Sequence, residues 1–63
     1  MYTIKFYNSD DVLICVHTIV SDCAPLEIEA VNKYCKLVAS TYDVISLWRI
    51  YTYDAKLAMN VVL

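Results

Sequence analysis

The first residues of the chain alternate. Tyr2, Ile4 and Phe6 fall on one side of an extended backbone, and Thr3, Lys5 and Tyr7 on the other, which is the period of a β-strand. Asn8-Ser9-Asp10-Asp11 then reads as a turn. Asn and Asp tolerate turn backbones, and Asp and Ser bond their own main chain there. Val12 to Val20 is β-branched and nearly all apolar, the pattern of a central strand, and it is expected to pair with the first strand as an antiparallel hairpin.

Ser21-Asp22-Cys23-Ala24-Pro25 breaks this pattern and opens a helix. Ser21 or Asp22 can cap, Pro25 suits the first turn, and Glu27 and Glu29 suit the positive helix end. From about residue 24 to 40 the period is helical. Glu29, Asn32, Lys33, Lys36 and Ser40 share one face; Val31, Tyr34 and Val38 centre the other, flanked by Ala30, Cys35 and Leu37. Glu29 and Lys33 stand in the favourable i, i+4 order. Val44 to Tyr53 reads as another strand, Asp54-Ala55 as a tight turn, and Leu57 to Leu63 as a short fourth strand. Ala55, Lys56, Leu57, Ala58 and Met59 also favour helix, so a helical turn over 54–63 is the alternative.

These elements predict one α+β domain over residues 1–63: a three- or four-stranded antiparallel sheet with one helix on one face, in the order β-β-α-β-(β). Alternation assigns Ile4, Phe6, Val12, Ile14, Val16, Val20, Val44, Trp48 and Ile50 to the covered face. It leaves Thr3, Lys5, Tyr7, Leu13, Cys15, His17, Ile19, Ile45, Leu47, Arg49, Tyr51 and Tyr53 on the open one. Tyr and Arg are the residue types that anchor protein interfaces. Tyr7, Arg49, Tyr51 and Tyr53 are therefore the candidate partner contacts, with Lys5 at the rim. The plainer reading is a solvated face on which Tyr serves strand propensity.

Composition sharpens that choice. The chain is 60% hydrophobic and 13% aromatic over 63 residues, which excludes a disordered tail. A domain this small buries only about 60% of the surface of its unfolded chain, so some large apolar side chains must stay exposed or be covered by a partner or a second copy. With 5 basic and 7 acidic residues the net charge is -2, and no basic footprint for nucleic acid is present. Tyr7, Tyr51 and Tyr53 on an open sheet are compatible with single-stranded RNA binding, a minor alternative given that charge. The longest apolar run, Val12 to Val20, is far short of the roughly 20 residues that span a bilayer, and the start lacks the pattern of a signal peptide. A cytoplasmic protein with no membrane contact is the expectation; for a phage-encoded chain, that is the host cell cytoplasm. There is no glycine, which removes every glycine-rich phosphate loop and implies turns that need no glycine-only backbone.

Cys15, His17, Cys23 and Cys35 form a Cys3His set that zinc could accept, but without a Cys-x-x-Cys knuckle, and Cys15 and Cys35 are assigned to opposite sides of the sheet. Reduced, buried thiols are the preferred reading, with no metal and no cofactor. A Cys15–His17 nucleophile would need an orienting group and a cleft that so short a chain hardly builds, so no enzyme is expected.

In size and in order of elements, a hairpin, one helix and a final strand, the chain resembles small phage-encoded proteins that block host defences. Among these are small anti-CRISPR proteins and phage antitoxins of the type called discriminators of mRNA degradation. The resemblance covers the architecture of most of the chain and carries no diagnostic motif. It fits a non-enzymatic inhibitor that docks its open sheet face, or a strand edge, on a host or bacterial protein and occludes a site there, by steric blocking or β-augmentation. A homodimeric or higher scaffold that pairs two open faces is the alternative.

Overall fold

The computed structural model describes residues 1–20 and 27–63. Cys23 and the helix start assigned to Ser21, Asp22 and Pro25 lie outside the described residues. The elements are β1 (Tyr2–Tyr7), β2 (Leu13–Ile19), α1 (Ile28–Thr41), β3 (Leu47–Thr52) and β4 (Leu57–Val62). The four strands form one antiparallel sheet in the order β2-β1-β3-β4. The α+β architecture is the predicted one, and residues 57–62 are a fourth strand, not a helical turn.

Two hairpins of the same build make the sheet. In the first, Asp11 N–H donates to Asn8 O at 3.1 Å and Asn8 N–H to Val12 O at 3.0 Å. In the second, Ala55 N–H donates to Thr52 O and Thr52 N–H to Lys56 O, both at 2.9 Å. Each is a three-residue loop whose last residue turns left-handed, Asp11 at φ 61° and Ala55 at φ 64°. The expected two-residue Asp54-Ala55 turn is thus one residue longer and includes Tyr53. Asn8 supplies the side-chain support in the first loop: its Oδ1 accepts from Asp10 N–H at 2.9 Å and Val12 N–H at 3.0 Å. Both loops hold their left-handed position with a residue other than glycine, in line with a chain that has none. Asp accepts a left-handed φ through its short polar side chain, whereas Ala55 bears a penalty of about 1 kcal/mol.

The core lies between α1 and the two central strands. Ile4, Phe6, Trp48 and Ile50 from the sheet meet Val31 and Cys35 from the helix, with Ile45 closing one end. Trp48 is the largest buried side chain, and its Nε1–H donates to Asn32 Oδ1 at 3.0 Å. Placing Asn32 on the polar helix face was therefore wrong. The core face is centred on Val31 and Cys35, so it includes half-buried Asn32, while Leu37, expected at its flank, is 68% exposed. An indole N–H in the core requires an acceptor, and that need outweighs the polarity of the amide.

Three further expectations are corrected. β2 is an edge strand, not a central one, and its faces are exchanged. Its register sets His17 opposite Ile4 and Cys15 opposite Phe6, so Cys15, His17 and Ile19 face the helix side. Val12, Ile14, Val16 and Val20 are exposed. The run from Val12 to Val16 offers no polar contrast to fix its phase, and the loop length and a bulge opposite Phe6/Tyr7 decide it instead. β3 begins at Leu47 rather than Val44. A turn closed by Ile45 N–H to Tyr42 O at 3.2 Å leaves Val44 60% exposed and sends Ile45 into the core at 3%. The helix cap is also different: Glu27 is the extended residue before α1, with no side-chain capping bond.

Two stability predictions follow from these positions. Ala55→Gly should raise the unfolding free energy by roughly 0.5–1 kcal/mol, because glycine relieves the left-handed penalty at a small entropic cost. Asn32→Ala should lower it by about 1–3 kcal/mol by stranding the Trp48 N–H. Chemical denaturation of the two variants checks both, and an Asn32→Ala protein as stable as the parent would remove that bond from the account of the core.

Candidate protein-binding face

With α1 on one side, no element among the described residues covers the other side of the sheet. Its centre comes from alternate residues of the two inner strands. Lys5 lies directly across from Arg49, Thr3 from Tyr51, and Tyr7 from Leu47. Diagonal neighbours on adjacent strands are within reach of long side chains, and both diagonals are used. The Arg49 guanidinium lies 4.9 Å from the Tyr7 ring centre, and the Lys5 ammonium 5.3 Å from that of Tyr51. Each contact contributes about 0.5–1 kcal/mol at a partly exposed site. Arg49 is further held by its Nε–H, which donates to Asn60 Oδ1 on β4 at 3.3 Å.

Four of the five candidate contacts, Lys5, Tyr7, Arg49 and Tyr51, therefore form one interlocked group. Tyr53 stands beside them in the β3–β4 loop, 79% exposed. Thr3, Lys5, Tyr51, Thr52, Tyr53 and Ala55 line a shallow hollow of about 300 Å³ next to the group. That is the lower end of ligand-pocket sizes, enough for one large side chain. Aliphatic residues flank the centre: the register places Val16 beside Lys5, Leu13 beside Tyr7, Leu57 beside Tyr51 and Val62 beside Leu47. Val16 was missed as part of this face because the phase of β2 was misread.

Electrostatically the face is one-sided. It carries the Lys5 and Arg49 cations and, among the described residues, no carboxylate. The salt bridge among those residues, Lys56 Nζ to Asp54 Oδ2 at 3.7 Å, lies in the β3–β4 loop. This cationic, aromatic centre sits on a chain of net charge -2.

The cysteine and histidine chemistry lies on the opposite side. Cys15, His17 and Cys35 all face the space between sheet and helix, so the assignment of Cys15 and Cys35 to opposite sides is overturned. His17 is committed to packing. Its Nδ1 is 2.7 Å from the Tyr34 hydroxyl and its ring stands edge-on to Phe6 at 5.2 Å. Among the described residues no three His, Cys, Asp or Glu side chains gather as metal ligands do. Burial pushes the Cys35 thiol up from 9.0 to about 11, against a smaller lowering by a backbone hydrogen bond. A thiol so raised is protonated at neutral pH and is a poor nucleophile.

No protein-family model, curated protein or solved structure matches this chain. No helix among the described residues is long and apolar enough to cross a membrane.

The Cys35 environment sets a pH dependence. Below pH 9 both folded and unfolded thiols hold their protons. As pH rises from 9.0 toward 11 the unfolded thiol ionises first, so stability falls across that window. Denaturation curves should show this fall, and it should be smaller in Cys35→Ala. Alkylation at pH 8 followed by peptide mass spectrometry should leave Cys35 unmodified until denaturant is added; rapid labelling in the native state would contradict its burial.

Proposed function

We propose that this protein is a non-enzymatic binding module that docks the open face of its sheet on another protein and occludes a site there. The observation that carries the reading is the Lys5–Tyr51 and Arg49–Tyr7 lattice. It presents interface-type side chains already fixed in position on the two most buried strands. A surface held in this way loses little side-chain entropy on binding. Tyr7, Arg49 and Tyr51 form the contact centre, Lys5 flanks them, and Tyr53 with the adjacent hollow receives one projecting side chain. A host defence or toxin protein is the partner class that the resemblance to small phage inhibitors suggests, and steric blocking in the cytoplasm is the mechanism.

The RNA reading is disfavoured by the same lattice. Base stacking needs free ring faces, and one face of both Tyr7 and Tyr51 is already covered by a cation.

Affinity capture from a bacterial lysate with the tagged wild-type chain, against an Arg49→Ala/Tyr51→Ala double variant, tests the reading. The double variant should retain its fold by circular dichroism and bind any captured protein at least about tenfold more weakly, the loss of one interface anchor or more. Undiminished binding by the folded double variant would move the interface off this face.

A further inference from the structure

The free edge of β2 is a second surface, separate from the open face. β2 has β1 on one side and, among the described residues, no strand on the other. From Val12 to Val20 the chain reads Val-Leu-Ile-Cys-Val-His-Thr-Ile-Val, with no Lys, Arg, Asp, Glu or Pro. Exposed edges are normally guarded by charge, proline or pronounced bulging. Among the described residues the one such device is a bulge at the end of β2 near Tyr7. Five aliphatic side chains of this run, Val12, Leu13, Ile14, Val16 and Val20, are between 37% and 62% exposed.

The same run is self-complementary. A two-fold axis through Val16 would set Val16 against its own copy, Ile14 against Thr18, Leu13 against Ile19 and Val12 against Val20. Cys15 would meet His17 on the helix side. Apart from Cys15 with His17, every cross-strand pair is aliphatic or β-branched, and no like charges meet. β4 is a poorer match: its centre opposes Met59 to Asn60, and Asn60 already serves Arg49. Pairing two open faces is poorer still. It would bring the Lys5 and Arg49 of both copies into one dry interface with no carboxylate to balance them.

We infer that the β2 edge pairs antiparallel with the β2 edge of a second copy, joining two four-stranded sheets into one of eight strands. Because the axis is normal to the sheet, both helices lie on one side and both Lys5/Arg49/Tyr faces on the other. A single strand pair is a small interface beside the ~1,200 Å² that marks stable complexes. The dimer is therefore concentration-dependent.

Light scattering on a sizing column, across a wide concentration range, reads this directly. The wild-type chain should move from the mass of one chain toward that of two as concentration rises. Val16→Glu should hold it at one chain. The substitution places a carboxylate across from Lys5 within the fold, which favours folding, yet it opposes two carboxylates at the dimer axis. Val62→Lys on the β4 edge and Arg49→Ala on the open face should dimerise like wild type. Hydrogen exchange on the unmutated chain gives a second readout, with β2 amides gaining protection as concentration rises and β4 amides unchanged. A wild-type chain that stays monomeric at its solubility limit would overturn the inference. So would a dimer that survives Val16→Glu, or one whose concentration-dependent protection falls on β4.

Discussion

One helix has to cover a sheet of four strands, and it is not wide enough. A helix with its side chains is about 10 Å across and strands are spaced about 4.8 Å apart, so one helix shields about two strands. The burial follows that geometry. Ile4, Phe6, Trp48 and Ile50, all on β1 and β3, are fully buried. The inward residues of the edge strands, Cys15 and Ile19 on β2 and Met59 and Val61 on β4, are covered only in part. Fully burying one such aliphatic or aromatic side chain contributes about 1.5–3 kcal/mol, so the central strands carry most of the stability. The His17–Tyr34 bond and the contact of His17 with Phe6 tie β2 to this core where apolar cover runs out.

The open face inherits its rigidity from that arrangement. Its cations and rings stand on the reverse of the same two strands, so each cation has a fully buried neighbour on either side and Tyr7 and Tyr51 have one each. Lys5 lies between Ile4 and Phe6, and Arg49 between Trp48 and Ile50. The covered side leaves the backbone beneath this surface little freedom. A face on the edge strands would not share this property.

Where the sequence carried a polar–apolar contrast, the fold was legible. β1 alternates cleanly, β3 does so from Leu47 onward, and α1 shows a helical period. These were enough to place Lys5, Tyr7, Arg49 and Tyr51 on one side of the sheet. β2 lacked contrast, so its phase depended on a loop geometry that composition does not specify, and Val16 was assigned to the wrong side. Ile45 was misplaced because the helix exit uses a turn with no glycine or proline to announce it. Asn32 was misread because a polar residue facing the core is explained only by its partner, the Trp48 indole, which is 16 residues away in sequence. The cation–ring diagonals were illegible for a related reason, since they depend on the β1–β3 register.

The position of β1 also orders events in time. Its hairpin with β2 is local and can close in about 1–10 μs. Its other ladder, to β3, joins Tyr7 to Leu47 and Tyr2 to Thr52, forty to fifty residues apart. At ~5–20 residues per second of synthesis, the strand destined for the middle of the sheet waits roughly 2–10 s for its neighbour. During that interval it has a bare edge and displays Ile4 and Phe6 without their helix. Until β3 arrives, the β1–β2 hairpin alone holds the central strand, and its other edge is open to the wrong strand.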